Sequence, residues 1–529
     1  MKKYILYLGA AFFSISMLLG LSGCNKDFEE YNQDPFAITE KDLEADYRLV
    51  GEPFVNMIRN IYVHTPAWVT QLQQNLIGDV YSGYMMPPTP FAGNSNNMNY
   101  NLVDGWNTWA WNPGYNDVMS SIAFVERKAK DAGGFQEFID WSKIIKVEAM
   151  HRVTDMFGPI VYSRFGQLEP DGSILYDCQE DVYDAFFKDL DEGIDGLTDF
   201  VNTSSSTPFT AFDEVYAGDI TKWIQFGNSL RLRLAIRVSK VDPARAKTEA
   251  EKAMNHPLGV ITSNDGNFTV KNSVDHPMNT INNAWNDIRM GAPMESILTG
   301  YNDPRIAQYF RPSLIVPDVY KGIRQGIPIN DKGDYVNFSA LQDLGDVQLM
   351  VASEVYFLRA QGALRGWSNM GGSAQDLYEM GVMTSFDQYG LSGSDTYLAD
   401  DSSQPIAYVD AFNDDNSLDA SSPWISKATI MWDDGADMET KLEKIITQKW
   451  IAMYPDGQEA WSEYRRTGYP VLMPVVINNS GGEVDTEAQI KRIKYISSEY
   501  VQNPAGVQSG VDCLGGPDYG GTSLWWDVD

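Results

Sequence analysis

The fold is decided by one stretch near the carboxyl end of the chain, QKWIAMYPDGQEAWSEYRRTGYP, which occupies residues 448–470. Apolar residues recur at helical spacing across 438–454 and again across 456–464. Two helices that follow each other so closely are expected to be neighbours in space. The stretch therefore predicts a helix pair.

Helical periodicity dominates the rest of the chain from residue 42 onward, whereas strand-like alternation is scarce and short. Across 219–239 a first apolar face is joined by a second that includes Phe226 and Ile236, which predicts a helix buried between neighbours. Asp219 is its expected N-cap. Further helices are predicted over 44–62, 68–80, 116–130, 135–157 and 179–200. We therefore expect an all-α dominated protein with few short strands.

A second predicted helix pair covers 346–364 and 373–389, separated by a glycine-containing break. Ala360, Gly362 and Ala363 are small enough to let helices approach closely, as helical repeats of the tetratricopeptide type require. No clean tetratricopeptide consensus is present. Long polar loops are predicted between the helical blocks, at 82–111, 260–286, 390–437 and 478–484. Ordered loops of this length are usually functional.

The amino terminus has the pattern of a lipoprotein export signal. Leu21-Ser22-Gly23-Cys24 closes an apolar segment that follows two lysines and is too short to span a bilayer. The pattern predicts a signal peptide over 1–23 and acylation of Cys24, whose acyl chains would hold the protein in membrane lipid. The alternative is an ordinary secretory signal with an accidental cysteine.

Composition restricts the class of the mature protein. Residues 24–41 are predicted as a lipidated flexible tether and 42–529 as a single domain. Hydrophobic residues make up 43% of the chain, which excludes a disordered protein. The formal charge of −32 excludes a nucleic-acid binder that works by neutralising phosphates. This excess of negative charge favours neutral or weakly charged ligands over polyanions.

The motifs of the common catalytic sites are missing from the sequence. We find no G-x-S-x-G, phosphate-loop, G-x-G-x-x-G or H-E-x-x-H motif. The four histidines are scattered without metal-ligand spacing, and each is interpreted as structural or surface: His64, His151, His256 and His276. Carboxylates are too abundant for any pair of them to indicate glycosidase chemistry. The sequence predicts a binding protein, with a surface glycoside hydrolase as a remote alternative.

A loop rich in aromatic residues and asparagine is the strongest candidate for ligand binding. Rings that stack on the C–H faces of sugars and amides that pair with hydroxyls would suit an oligosaccharide. The candidate residues of this loop, within 82–115, are Tyr84, Tyr100, Trp106, Asn107, Trp109 and Trp111. A smaller region of similar chemistry, within 260–290, contributes Asn283, Trp285 and Arg289. Two alternatives stay open: the rings pack the loop onto the helices, or the amides bind a peptide.

Two further features are the remaining cysteines and an acidic segment. Cys178 and Cys513 remain once Cys24 is acylated. A disulfide between them in an oxidising compartment is the alternative, and we expect two separate, mostly buried thiols because nothing shows them to be neighbours. The Asp-rich and Asn-rich segment 395–419 has oxygen ligands for a structural calcium ion but lacks EF-hand spacing. A solvated loop is the expected state, and no other cofactor is predicted.

Several stretches closely resemble the SusD/RagB family of outer-membrane lipoproteins. The resemblance is carried by residues 448–470 and is supported by four shorter segments elsewhere: KWIQFGNSLRLRLA at 222–235, DMFGPIVYS at 155–163, ASEVYFLRA at 352–360 and WWD at 525–527. The resemblance extends over nearly the whole mature chain. Residues 491–496, KRIKYI, depart from the Pro-Arg-Arg pattern frequent at this place in the family.

The resemblance implies a fold of four tetratricopeptide-like helix pairs with long loops that carry the ligand surface. It also implies a lipid-anchored protein on the outer face of the outer membrane. There it would capture an oligosaccharide or, alternatively, a peptide, and act as the lid of a SusC-like TonB-dependent transporter. Trp461, Arg465 and Arg466 are then scaffold, with arginines that pair with buried acids or carbonyls. Trp106-Asn107 or Trp109 lie where the family's starch-binding archetype contacts its ligand.

Overall fold

The computed structural model describes residues 40–271 and 275–528. Cys24, the predicted signal peptide and nearly all of the predicted tether lie outside the described residues. The contacts divide the described chain into two units, 40–49 and 50–528, and the helical body is the second. Within these bounds, no helix is both long enough and apolar enough to cross a membrane.

Most of the helices predicted from the sequence lie in the first half of the described chain, where the structure also has helices. They are α1 Glu40–Ala45, α2 Arg48–Ile61, α3 Ala67–Thr70, α4 Asp104–Pro113, α5 Ser120–Ala132, α6 Gln136–Phe157, α7 Gln179–Thr203, α8 Ile220–Arg237, α9 Pro243–Asn255 and α10 Pro277–Asn279. Three of them, α3, α4 and α10, continue as π-helical segments over Gln71–Asp79, Gly114–Met119 and Thr280–Ala284.

The second half alternates short helices with long connections. Its α-helices are α11 Ala292–Gly300, α12 Ile306–Tyr309, α13 Lys332–Tyr335, α14 Ala352–Leu364, α15 Ala374–Gln388, α16 Ser394–Leu398, α17 Met438–Ala452, α18 Gly457–Thr467, α19 Ser497–Gln502 and α20 Pro504–Leu514. Single 3-10 turns form at Phe91–Asn94, Asn97–Asn99, Asn264–Gly266 and Asp414–Asn416.

The strands of the described chain form two small antiparallel ladders. β1, Met85–Met86, pairs with β3, Arg289–Met290. β2, Phe268–Val270, pairs with β4, Val347–Met350. The prediction of a helix from residue 346 is therefore wrong at its start. Val347, Leu349 and Met350 are buried, and pairing with β2 satisfies their backbone before α14 begins.

Consecutive helices pack against each other to form the scaffold. α6 packs on α7, α8 on α9, and α14 on α15, while α8 also contacts α7 and α14 and so joins the pairs. Nearly all of α8 is buried, as its two apolar faces predicted. The Asp219 carboxylate accepts a hydrogen bond from the Lys222 N–H at 3.2 Å, which confirms the predicted cap.

The stretch that decides the fold becomes the second half of α17 together with α18. α17 packs on α14, and α18 packs on Gln71–Asp79. Arg466 Nε donates to Glu463 at 2.9 Å, and Arg465 Nη1 donates to the Asp155 carbonyl at 2.6 Å. Both arginines are buried. The prediction that these arginines pair with buried acids or carbonyls is confirmed.

Cys178 and Cys513 form a disulfide bond, with their Cα atoms 5.3 Å apart. The expectation of two separate, mostly buried thiols is wrong, since both residues are also half-exposed. The pairing follows from the course of the chain end. Asn503 Oδ1 accepts from the Ile174 N–H at 3.1 Å, and α20 thereby lies beside the segment that leads into α7. Because the two cysteines are separated by 335 residues in the sequence, no local pattern indicates that they are close in the fold.

Candidate ligand-binding site

Helix α4 is the element around which the candidate site is built. Its sequence contains Gly105, Asn107, Asn112 and Pro113, which favour loops, and we expected a loop over 82–111. Trp111 is 3% exposed and packs edge-on against Phe157 at a centroid distance of 4.9 Å. Burial of this ring outweighs the low helix propensity of its neighbours, so the segment folds as a helix.

Two faces of α4 and its π-helical continuation line two different cavities. Residues three or four apart share a helix face, and a step of one residue turns the side chain by about 100°. Trp109, Pro113 and Asp117 border one cavity, whereas Thr108 and Tyr115 border another. A single helix thus separates two candidate ligand sites.

We call the first of these the Trp109 cavity. It has a volume of about 410 Å³ and is lined by Asn56, Asn60, His64, Pro66, Trp109 and Asp117, among others. The second, the Glu499 cleft, measures about 580 Å³ and is lined by Asp104, Thr108, Tyr115, Phe165, Glu499 and Asn503, among others. Both volumes are in the range of small-molecule sites.

Trp109, which lines the cavity and is half-buried, contacts a second tryptophan, Trp68. The rings of Trp68 and Trp109 meet edge to face, with centroids 4.7 Å apart and an interplanar angle of 88°. Trp68 is 42% exposed, although a tryptophan is usually well buried. Sequence reasoning missed Trp68 because it was assigned to the start of a predicted helix, and periodicity gives no measure of ring exposure.

Helix α3, which carries Trp68, also packs on α10 and on Thr280–Ala284. The two predicted ligand regions are therefore neighbours. Asn283 is exposed, and its Nδ2 donates to Asp343 at 2.7 Å while its Oδ1 accepts from Arg311 at 3.2 Å. Trp285 is half-buried, and its carbonyl accepts from Lys332 at 2.6 Å.

Another aromatic candidate is Trp106. It is half-buried and meets Phe91 edge to face, with centroids 5.8 Å apart. The ligand-binding role of Asn283, which is exposed, and of Trp106, Trp109 and Trp285, which are half-buried, stays a prediction.

The other predicted site residues are buried and have internal partners. The hydroxyl of Tyr84 donates to the Trp450 carbonyl, and Asn107 Oδ1 accepts from Asn97 at 2.9 Å. Tyr100 is 2% exposed and packs near Tyr81. These contacts give the rings and amides the alternative role named above, which is to pack the loop onto the helices.

Arg289 and Trp111 are also buried. Arg289 Nε donates to the Val336 carbonyl at 2.7 Å, and burial lowers the pKa of its guanidinium to about 10. The arginine therefore anchors β3 to the segment around residue 336. Any ligand contact by Tyr84, Tyr100, Asn107 or Arg289 would require the surrounding packing to open, whereas Trp111 lines the Glu499 cleft.

His64 was interpreted from the sequence as structural or surface, and the structure gives it a defined position. It is 6% exposed and lines the Trp109 cavity. Its Nδ1 lies 2.7 Å from the Tyr62 carbonyl oxygen and 3.0 Å from that of Arg59. Its Nε2 has no hydrogen-bond partner among the described residues.

Carboxylates of the segment 395–419 accept hydrogen bonds from neighbouring groups of the same segment. Asp400 accepts from the N–H groups of Ser402 and Ser403, each at 2.9 Å, and these serines lower the pKa of its carboxyl. Asp410 accepts from the Phe412 N–H at 2.8 Å and from Asn416 at 2.9 Å. Where the structure describes the chain, no three His, Cys, Asp or Glu side chains are grouped to hold a metal ion. Calcium binding by this segment stays the untested alternative to the expected solvated loop.

Comparison with known protein families identifies the fold and its class. The family model described as SusD-like, "Susd and RagB outer membrane lipoprotein", matches residues 30–527. The chain belongs to this family. The helix-dominated architecture expected from the resemblance is that of the family's solved structures.

Several SusD homologues of known structure align over nearly their full length with this SusD-like protein. A chitin-binding homologue from Flavobacterium johnsoniae is 49% identical, with a TM-score of 0.87 over 91% of this chain and 99% of that one. A homologue from Bacteroides uniformis is 38% identical, with a TM-score of 0.83 and the same two coverages. One from Bacteroides vulgatus is 36% identical, with a TM-score of 0.85 over 93% and 99%. No curated protein matches the chain.

Proposed function

We propose that this SusD-like protein captures oligosaccharides at the cell surface and delivers them, as a lid, to a SusC-like TonB-dependent transporter. Membership of an outer-membrane lipoprotein family supports the location, and the lipobox at Cys24 supports the anchor. The observation that carries the binding role is the contact of exposed Trp68 with half-buried Trp109, whose ring lines a cavity of about 410 Å³.

The pair suits a sugar for physical reasons. The C–H face of a pyranose is apolar and can cover an indole ring, while its hydroxyls need polar partners. Asn56 and Asn60 line the same cavity and supply amide donors and acceptors. A cavity with few charges and an aromatic wall favours a neutral ligand over a polyanion.

The ligand class can be narrowed by a homologue. The Flavobacterium johnsoniae protein that is 49% identical is described as chitin-binding. We therefore propose oligosaccharides of N-acetylglucosamine as the first ligands to test, with peptides as the alternative cargo. In this role the protein binds without cleaving, so prolonged incubation should leave the oligosaccharide intact.

Calorimetry with N-acetylglucosamine oligosaccharides tests the binding role. Loss of one stacking ring should weaken binding about tenfold, or about 1.4 kcal/mol, in Trp68→Ala and in Trp109→Ala. Phe165→Ala is the matched control, because this ring lines the Glu499 cleft on the other face of α4. Equal affinities in wild type and both tryptophan variants would contradict the site.

The proposed transporter partner is tested by a separate experiment. When the acylated protein is extracted from membranes in mild detergent, a β-barrel transporter should co-purify with it. Purification of the extracted protein alone would count against the lid role while leaving the binding site in place.

A further inference from the structure

The Glu499 cleft has no role in the proposed capture of neutral oligosaccharides. Its volume of about 580 Å³ exceeds that of the Trp109 cavity, and it lies on the other face of α4. Two carboxylates line it, those of Asp104 and Glu499, and the described residues that border it include no lysine or arginine. The cleft therefore carries negative charge without a cation of its own.

The carboxylate of Glu499 is held at the wall of the cleft. Its Oε2 accepts from the Tyr176 hydroxyl at 2.6 Å, and the Tyr176 ring stacks on Trp111 with centroids 5.9 Å apart. Trp111 and Tyr115 both line the cleft. Burial and the charge of Glu499 raise the pKa of Tyr115, so the carboxylate lies near this ring as well.

Both carboxylates have an oxygen left for a ligand. Glu499 is half-buried, and its Oε1 has no hydrogen-bond partner among the described residues. This oxygen is not one of their buried unpaired atoms, so it is accessible. Asp104 is exposed, and its Oδ1 accepts from the Ser497 N–H at 2.7 Å, which leaves Oδ2.

Cations of the adjoining segments are paired with other acids. Arg164 Nε lies 3.5 Å from Asp177, and Lys494 Nζ lies 2.9 Å from Glu483. Neither cation borders the cleft. The cleft therefore favours a ligand that brings positive charge.

The other groups around the cleft suit a sugar ring. Tyr115 contributes an aromatic ring to the wall, and Asn112, Asn116 and Gln502 supply amide donors and acceptors for hydroxyls. An ammonium group donates three hydrogen bonds and is attracted to a nearby aromatic face. A ring that combines hydroxyls with an ammonium group is an amino sugar.

We propose that the Glu499 cleft is a second saccharide site, which binds an amino sugar through its protonated free amine, with Glu499 and Asp104 as acceptors. This site is additional to the Trp109 cavity, to which the proposed function assigns neutral oligosaccharides. One protein then takes acetylated units on one face of α4 and deacetylated units on the other.

Calorimetry with a glucosamine tetrasaccharide tests the second site. Trp109→Ala is the parent protein, so that the Trp109 cavity contributes little to binding. Adding Glu499→Gln removes one charge but keeps an acceptor for Tyr176, and it should weaken binding about tenfold or more. Adding Asp104→Asn, at an exposed position, should weaken binding about threefold. Glu487→Gln, which is exposed and does not border the cleft, is the matched control.

The acetylated tetrasaccharide carries no charge, so wild type and Glu499→Gln should bind it equally. Unchanged thermal unfolding of each variant shows that the fold is retained. Because Asp104→Asn leaves the Tyr176 bond untouched, it tests the role of charge independently of the position of Glu499.

The outcomes separate the two proposals. Equal affinity of the parent and its Glu499→Gln derivative for the glucosamine tetrasaccharide, or equal losses for both sugars, would overturn this inference and leave the proposed function standing. If trilysine binds in a Glu499-dependent manner and the amino sugar does not, the cleft takes a cationic peptide and the amino-sugar assignment is wrong. If wild type binds the amino sugar but no acetylated oligosaccharide, the proposed function fails and the second site stands.

Discussion

Arg465 shows how one residue joins distant parts of the chain. Its guanidinium carbon lies 3.6 Å from the centre of the Trp461 ring, and Nη1 donates to the carbonyls of Asp155 and Lys491 at 2.6 and 2.7 Å. Burial lowers the pKa of this guanidinium to about 9. Lysine has no planar group, so replacing Arg465 by lysine would remove the stacking on Trp461 and the paired donation to two carbonyls.

Glu148 is a residue whose burial makes stability depend on pH. It is 0% exposed, and both carboxylate oxygens lack a hydrogen-bond partner among the described residues. Burial raises its pKa from 4.5 to about 8, and outweighs Arg233, whose Nη1 lies 3.6 Å away. Between these two pH values the unfolded chain has released a proton that the folded protein keeps.

The free energy of unfolding should therefore fall as the pH rises from about 5 to 8, by up to about 1.4 kcal/mol per pH unit. Glu148→Gln cannot ionise and should give a flatter profile in urea unfolding measured at each pH. Glu487→Gln, at an exposed position, is the control. A Glu148→Gln profile that runs parallel to wild type would contradict this assignment.

At the scale of the elements, the close packing of α14 on α15 depends on a glycine of α15, whereas the sequence predicted this role for Ala360, Gly362 and Ala363 of α14. Gly362 borders the connection between the two helices, and Gly381 of α15 borders α14 itself. A Cβ on Gly362 would lie 2.5 Å from Met370 Sδ, and one on Gly381 of α15 would lie 2.7 Å from the Phe357 ring of α14. The two helices can meet at this distance only because α15 has no side chain at this point.

Gly381→Ala should destabilise the protein by about 1–3 kcal/mol, because the clash outweighs the gain in helix propensity. Gly105→Ala is the matched control, since a Cβ at this position of α4 meets no atom within 4 Å. It should stabilise the protein by about 0.5–1 kcal/mol. Denaturant unfolding measures both, and equal shifts in the two variants would refute the packing argument.

The elements also show where sequence reasoning succeeds and fails. α8 was predicted because two apolar faces repeat over eighteen residues. α4 was missed because tertiary burial of Trp111, which no local pattern reveals, holds a segment rich in Asn, Gly and Pro in a helix. Trp109 was predicted as a site residue, whereas Trp68 was not, because the exposure of a ring is a property of the folded chain.

At the scale of the whole molecule, contacts between residues that are far apart in the sequence could not be predicted. The family, the helix-dominated fold and the aromatic region near α4 can all be predicted from the sequence, since motifs and periodicity are local. The Cys178–Cys513 disulfide cannot, because it depends on α20 returning to the start of α7. The same limit applies to Glu148, whose buried surroundings come from several helices.

The disulfide between Cys178 and Cys513 closes most of the chain into a covalent ring. A protease that cuts once within this ring should therefore not separate the chain into two pieces. The loop 390–437 lies inside the ring, and Phe412 within it is 55% exposed. A chymotrypsin-like cut after Phe412 should leave one band on a non-reducing gel and two after reduction. In Cys178→Ser, the two fragments should separate without reductant. A SusD-like protein with such a ring can be cut once within the ring and still remain a single molecule.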